Sequence, residues 1–335
     1  MVSGSRRERG FTIVELIVVI GVITILAGLL LPALSGVQRR AAKSEELSRI
    51  RQVGVAWNLY SLSNQDAALP GYVPPGLQAD WDVNYELPVS ELDSADGSHQ
   101  VKKFVDPTDA SPWPWRLLPY LDYNQEMVLG HRKYVDSSVY AMSDYGNVSD
   151  EIVNVYGYES QFGRRPTEIA YLPSFGYNAF YIGGWWDADV SGFDVTHSLR
   201  YSDSNVVARS PSSIRNTTEM VVFCSSSKKE PGSYSELGSQ EPGSHYVVPP
   251  VLYEQGGEKI RAWQQDTTIG SPEIIEVLDS SGAETPRVPL GRYTGGVAVL
   301  YADLRVNAVE PGNLDDQRKW INRADAPTDT HPPDA

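Results

Sequence analysis

Cysteine is nearly absent from this sequence. Cys224 is the single cysteine in 335 residues, so the chain can form neither an intramolecular disulfide nor a metal site built from several thiolates. It follows the apolar residues Val221, Val222 and Phe223. We therefore predict that Cys224 is a small buried hydrophobe on a β-strand, because free cysteine usually packs as an apolar side chain.

Histidine is scarce, and the motifs of common enzyme families are missing. The sequence contains no His-x-x-x-His pair, no Gly-x-Ser-x-Gly elbow and no phosphate-binding glycine loop. Its five scattered histidines are His99, His131, His197, His245 and His331. Each is predicted to be a surface or locally hydrogen-bonded side chain, and we expect the protein not to be an enzyme.

Positive charge is in short supply. The chain has 28 Lys and Arg residues against 43 Asp and Glu residues, which gives a net charge of -15. An acidic surface repels both nucleic acid and anionic lipid headgroups. We therefore expect no nucleic-acid partner for the main domain.

One long apolar run lies near the start of the chain. Residues 11–31 are nearly all apolar, follow a basic stretch at residues 6–9, and contain one acid, Glu15. A helix of this length matches the hydrocarbon core of a bilayer, which is about 30 Å thick. The sequence therefore predicts a transmembrane helix over residues 11–32.

Glu15 needs an explanation, because a carboxylate near the bilayer centre costs about 2.5 to 3.5 kcal/mol on insertion scales. In one interpretation Glu15 reaches the headgroups from about one turn inside the span and favours the positive end of the helix dipole. In the other, a cut after Gly10 creates an amino terminus at Phe11, on the same helical face as Glu15. The new ammonium and the carboxylate can then pair, within one chain or between neighbouring chains.

The segment Gly10-Phe11-Thr12-Ile13-Val14-Glu15-Leu16 resembles the processing site of type IV pilins and type II secretion pseudopilins. The resemblance implies that a prepilin peptidase cuts between Gly10 and Phe11, that the Phe11 amine is methylated, and that Glu15 supports filament assembly. Pro32 matches a proline common in these helices and is expected to kink the helix.

The same resemblance implies a location and partners. It places the protein in the bacterial inner membrane with a single span, and its C-terminal domain in the periplasm or outside the cell after assembly. The implied partners are sibling pilin or pseudopilin subunits and the assembly platform. An ordinary secretory signal is disfavoured for two reasons. The apolar run here is longer than the core of such a signal, and no small-residue cleavage site follows Leu31. A simple signal anchor stays an alternative.

Residues 33–64 are predicted to continue the helix as an amphipathic half. An apolar stripe recurs there every three or four residues; it consists of Leu47, Ile50, Val53, Trp57 and Tyr60. Charged residues are expected on the other faces; they are Arg39, Arg40, Lys43, Glu45, Glu46, Arg49 and Arg51. The stripe should pack on a sheet, and Pro70-Gly71 stops the helix.

The predicted fold class is α+β: a long pilin-like helix packed on an antiparallel, β-rich domain. The expected units are a leader at 1–10, the two helix halves, a globular domain at 65–311, and a short helix with a disordered acidic tail at 312–335. Candidate strands are residues 151–156, 175–182, 219–224, 258–263, 296–302 and 304–309. Residues 225–244 are predicted to be a mobile surface loop, and residues 325–335 to be the disordered tail.

Short pieces of the body are similar to a bacterial group that joins a prepilin-type N-terminus to a domain of unknown function. These pieces are residues 50–60, 115–121, 174–178 and 295–303. That group often ends in a motif written H-X9-DG. Asp303 fits the aspartate of that motif, but Tyr293 replaces the histidine and Leu304 replaces the glycine.

Two further features suggest ligands. Asp187, Asp189 and Asp194 are candidate Ca²⁺ ligands, although a solvated acidic loop is the favoured interpretation and no cofactor is otherwise expected. Tryptophans in turn-rich segments suggest an alternative function, a membrane-anchored surface protein that binds polysaccharide and uses a pilin-type export signal. They are Trp113, Trp115, Trp185 and Trp186. Core packing is the default interpretation for most of them.

Overall fold

The computed structural model describes residues 13–81, 110–124, 126–129, 169–187, 192–193, 207–228, 243–255, 258–265, 275–277, 287–291 and 296–328. Across these residues the protein is α+β, with a long N-terminal helix packed on an antiparallel β-sheet. The predicted fold class is therefore confirmed at this level. The predicted strand at residues 151–156 lies outside the described residues.

Helix α1 runs from Ile13 to Ser63 and ends where the sequence predicts. Beyond it, Gln65 and Asp66 have positive φ values of 57° and 64°, a conformation that cannot continue a right-handed helix. The hydroxyl of Ser212 donates a hydrogen bond to the Asp66 carboxylate and so fixes this turn to a distant loop.

Pro32 lies inside α1, and the helix continues through it. The kink expected at Pro32 stays a prediction. In the part of the chain that the structure describes, no helix combines the length and the hydropathy that a membrane span requires. The transmembrane span predicted over residues 11–32 is therefore not confirmed by the structure.

Eleven strands are present in the described part of the chain. They are β1 (Phe175–Tyr177), β2 (Trp186–Asp187), β3 (Gly192–Phe193), β4 (Val221–Lys228), β5 (Val251–Gln255), β6 (Glu258–Arg261), β7 (Trp263–Gln265), β8 (Ile275–Val277), β9 (Arg287–Pro289), β10 (Val297–Tyr301) and β11 (Val306–Val309). The main sheet has the order β1-β4-β10-β11, and β9 also pairs with β4. Three hairpins, β2-β3, β5-β6 and β7-β8, lie outside it.

Strand β4 is the centre of the main sheet. Cys224 on β4 lies opposite Gly176 of β1 and Val299 of β10, and all these pairings are antiparallel. Its thiol is fully buried. The prediction that Cys224 is a buried apolar residue on a strand is therefore confirmed.

The second half of α1 packs against this sheet through the predicted stripe. Ile50 and Val53 are fully buried, Trp57 and Tyr60 are nearly so, and Leu47 packs at the margin of the core. Gly54 allows the close approach, because a Cβ atom added there would lie 2.6 Å from Leu300 Cδ1. A hydrogen-bond chain reinforces it: the Trp57 indole N–H donates to the Tyr177 hydroxyl, which donates to the Leu69 carbonyl.

Short helices complete the described chain. The α-helices are α2 (Pro114–Leu117) and α3 (Glu126–Leu129), and the 3₁₀-helices are Pro75–Trp81, Leu118–Leu121, Pro211–Ser213, Pro311–Leu314 and Gln317–Lys319. The last of these carries the chain into the buried Trp320. The side-chain N–H₂ group of Asn178 donates hydrogen bonds to the backbone carbonyl of Trp320 and to that of Val221 on β4.

Two predicted flexible segments are partly wrong. Residues 225–228 belong to β4, because the polar groups that suggested a loop are satisfied inside: the Ser226 hydroxyl donates to the Ser244 carbonyl. Residues 325–328 of the predicted disordered tail are held against the body, since the Pro327 carbonyl accepts from the Gln317 N–H. Residues 243–244 at the end of the predicted loop are also described, and Ser244 is buried at 1% exposure. Residues 229–242 and 329–335 lie outside the described residues.

The predicted strands have different bounds in the structure. The strands predicted at 219–224 and 296–302 are β4 and β10, which begin two residues and one residue later, and three others differ because of local turns or breaks. The strand predicted at 175–182 ends at Tyr177, because Tyr181 and Ile182 donate their N–H groups back to the Asn178 carbonyl in a turn. The strand predicted at 258–263 divides into β6 and β7. The strand predicted at 304–309 begins two residues later, because Leu304 has a positive φ of 66° in the turn between β10 and β11.

Candidate assembly surface

The first half of α1 presents apolar side chains on every face. The large hydrophobic residues from Ile13 to Leu26 have exposed fractions between 48% and 78%. They are Ile13, Val14, Leu16, Ile17, Val18, Val19, Ile20, Val22, Ile23, Ile25 and Leu26. A helix that is apolar all round requires an apolar environment. A continuous exposed surface of this kind marks a contact with other subunits or with lipid.

Glu15 is an exposed acid within this surface and lies in the first turn of α1. The positive end of the helix dipole favours a carboxylate at this position. Gly10 and Phe11 lie outside the described residues. The cut between them, the methylation of Phe11 and the assembly role of Glu15 therefore stay predictions.

Ala42 is the first described residue of α1 that is buried in the body. The separation from Ile13 corresponds to about 44 Å of helix at about 1.5 Å per residue. Beyond Ala42 the helix is two-sided, with one face on the sheet and one face outward. The helix therefore has two chemically different halves, as the sequence predicts.

The prediction that charged residues occupy only the outer faces is wrong for Glu46 and Arg49. Both are nearly buried, at 6% and 5% exposure. Glu46 accepts a hydrogen bond of 3.0 Å from the Ser225 hydroxyl on β4, and Arg49 forms an ion pair with Glu45 one turn earlier. Partners that only the folded chain provides thus compensate the burial of these charges.

The outward face of the second half carries its own apolar residues. Val55, Leu59 and Leu62 are 48%, 42% and 71% exposed, and their spacing of four and three residues places them on one face. Arg51, also exposed, precedes Val55 by one turn on that face. We call these four residues the outer stripe. This stripe was not predicted from the sequence, although its three-and-four spacing was a usable signal.

The four candidate tryptophans do not form an open sugar-binding platform. Trp113 is fully buried and Trp115 is 5% exposed, so both are core residues. Trp185 is half-buried and stacks with Tyr72 at 4.5 Å and with Phe180 at 5.4 Å between ring centroids. Trp186 is half-buried and donates its indole N–H to the Gly183 carbonyl. Their rings are engaged within the fold.

The predicted calcium ligands are not brought together in the part of the chain that the structure describes. Asp187 lies on β2, whereas Asp189 and Asp194 lie outside the described residues. No group of three or more His, Cys, Asp or Glu side chains among the described residues is placed to hold a metal ion. The calcium site therefore gains no support from these residues.

His245 is buried, at 6% exposure, so of the two predicted alternatives, a surface or a locally hydrogen-bonded side chain, it is not the surface one. Its Nδ1 atom lies 3.3 Å from the Tyr171 carbonyl, which agrees with the alternative expectation of a local hydrogen bond. Burial, together with the charge of nearby Arg287, lowers its pKa to about 3. His245 is therefore a neutral structural residue. The other four histidines lie outside the described residues.

Asp303 and Leu304 form the turn between β10 and β11. The Asp303 carboxylate accepts a hydrogen bond from the Arg305 N–H, and Leu304 adopts the left-handed conformation that favours glycine. The position where the H-X9-DG motif has glycine thus has a glycine-type backbone here. The resemblance of the body to that group stays a prediction.

The fold and the exposed helix define a class of protein: an α+β chain with an N-terminal apolar segment available for contacts outside its own body. A family model described as the prokaryotic N-terminal methylation motif matches residues 5–31. Over 59 residues, the chain is 39% identical to the type II secretion system core protein G of Dickeya chrysanthemi. That match covers 18% of this chain and 39% of the relative.

No solved structure matches the chain significantly. The matched motif and the relative confirm the prepilin-type N-terminus predicted around Gly10, Phe11 and Glu15, and they support a pseudopilin-like protein. Such a segment fits a membrane-anchored or envelope-associated protein.

Proposed function

We propose that this chain is a pilin-like, non-enzymatic structural subunit of a type II secretion pseudopilus or a related type IV filament. The observation that carries the proposal is the coincidence of two features in one helix. The methylation motif, at residues 5–31, contains the segment from Ile13 to Leu26, whose apolar side chains are exposed on every face. A segment of this kind needs a partner surface, and a filament of sibling helices provides one.

Processing is the first step of the proposed mechanism. A prepilin peptidase cuts between Gly10 and Phe11, and the Phe11 amine is methylated. The mature helix waits in the inner membrane, with its apolar surface in lipid and the acidic body outside the cytoplasm. Assembly then replaces lipid by neighbouring helices, so packing and polar pairing, not additional burial from water, decide the arrangement.

Glu15 provides the polar pairing in this proposal. Its carboxylate is costly in hydrocarbon, and an ammonium at Phe11 lies four residues away on the same helical face. Pairing with the Phe11 amine of the same or a neighbouring chain compensates that cost. The assembly platform and sibling subunits are the proposed partners.

A substitution of Glu15 tests this proposal. Glu15→Ala should insert and be processed normally, since the cleavage site is intact, but it should enter sheared surface filaments much less than the wild-type chain. A substitution of Gly10 should leave the leader attached. Wild-type filament levels for Glu15→Ala would contradict the pairing.

The matched control for Glu15→Ala is Gln38→Ala, which also removes an exposed polar side chain from α1 but lies outside both the apolar segment and the outer stripe. It should assemble normally. If neither this variant nor the wild-type chain co-purifies with sheared filaments, the filament-subunit proposal is wrong. A surface binding protein with a pilin-type export signal would then be the better interpretation.

A further inference from the structure

We infer that the outer stripe, Arg51, Val55, Leu59 and Leu62, binds the apolar N-terminal segment of a second copy of this chain. This inference rests on the proposed function, because it concerns the packing of sibling helices. It adds which two surfaces meet and in which register.

The first argument is exposure on a helix that is otherwise packed. Ile50, Val53 and Trp57 bury their side chains in the body, whereas Val55, Leu59 and Leu62 point away from it and are 42% to 71% exposed. Single exposed leucines are ordinary, but three apolar residues in one row are a candidate contact surface.

The second argument is a match of spacing. Val19, Ile23 and Leu26 in the N-terminal segment repeat the spacing of Val55, Leu59 and Leu62, and they are 48%, 58% and 54% exposed. Parallel helices therefore bring the two rows into contact along their whole length when one chain is shifted by about 36 residues, or about 54 Å of helix.

The third argument is charge, and it selects this register from the others that an all-apolar segment allows. Glu15 precedes Val19 by four residues, and Arg51 precedes Val55 by four residues. In the proposed register the acid of one chain meets the guanidinium of the other. A carboxylate has two oxygens, so Glu15 can accept hydrogen bonds from both Arg51 and a terminal amine.

Cysteine cross-linking in the native host tests the register. The full-length variant Val19→Cys/Val55→Cys should give covalent multimers on mild oxidation. Two positions about 54 Å apart along one helix cannot be joined within one chain. Cys224 is fully buried and does not compete. The control is Val19→Cys/Ser48→Cys, because Ser48 is exposed two turns from Val55.

We expect about tenfold more multimer from the first pair than from the control, since a disulfide needs Cα atoms within about 7 Å. Arg51→Gln should lower the yield of the first pair about two- to fivefold, as expected for an exposed ion pair. Arg40→Gln, which removes another exposed arginine of α1, should leave the yield unchanged.

The outcomes separate the inference from the proposed function. Sheared filaments that contain the chain but cross-link equally or better through the control pair would overturn the inference and leave the filament role intact. An equal yield for Arg51→Gln and wild-type Arg51 would overturn the assigned charge pairing. Failure of the chain to enter filaments would overturn both the inference and the proposed function.

Discussion

Two valines on opposite faces of α1 should separate folding from assembly. Val53 is fully buried against the sheet, whereas Val55, two residues later, is 48% exposed on the outer stripe. Val53→Ala removes two buried methyl groups at about 0.8 kcal/mol each and leaves a small cavity. Alanine returns about 0.5 kcal/mol through its higher helix propensity. The net loss in the free energy of unfolding should be about 1.5 to 2.5 kcal/mol.

Val55→Ala is the matched control, because it makes the same substitution in the same helix. Its half-exposed side chain loses less burial energy, and the helix-propensity gain offsets that loss, so the change should stay within about 0.5 kcal/mol. Denaturant unfolding of the detergent-solubilised full chain measures both values. The yield of filaments per folded molecule should show the reverse order, because Val55→Ala should lower it more than Val53→Ala does. Equal destabilisation by the two substitutions would refute the assigned helix faces.

The remaining predictions concern His245 and two glycines. The unfolded chain protonates His245 near pH 6.5, whereas the folded chain does so only near pH 3, so stability should fall as pH drops below about 6.5, by at most about 1.4 kcal/mol per pH unit from this residue. His245→Gln should flatten the dependence of the free energy of unfolding on pH between pH 6.5 and 4.5. An unchanged slope in unfolding experiments would show that folding does not lower the pKa of His245. Gly183→Ala should destabilise by at least about 2 kcal/mol, because Gly183 has a φ of 73° and an added Cβ would lie 1.7 Å from the Leu69 carbonyl oxygen. Gly36→Ala should instead stabilise the protein by about 0.5 to 1 kcal/mol, because Gly36 is helical and nothing lies within 4 Å of an added Cβ. Thermal unfolding that ranks the two glycine variants in the opposite order would contradict these backbone environments.

Local patterns predict the helix well. The spacing of Ile50, Val53, Trp57 and Tyr60 identifies the buried face, because helical periodicity is a property of neighbouring residues. The end near Ser63 follows from the turn-forming residues beyond it. The prepilin-type segment around Gly10 and Phe11 is recognisable because its basic start, its lone acid and its apolar run occur in fixed order.

Tertiary partners explain what the sequence alone could not predict. Glu46 looks like a solvent-facing residue until the Ser225 hydroxyl, 179 positions away, satisfies its carboxylate. Ser225 itself begins a serine-rich stretch of loop composition but lies on the central strand β4. Trp113 lies in a turn-rich segment, yet its indole N–H donates to the carbonyl of His245 inside the core. In each of these three cases the hydrogen-bond partner is distant in sequence.

Mass spectrometry of the native chain in sheared filaments tests the central claim most directly. The account predicts an amino-terminal peptide that begins at Phe11 and is one methyl group heavier than the unmodified sequence. Filament material in which residues 1–10 are still attached, or in which the chain begins well beyond residue 31, would contradict it.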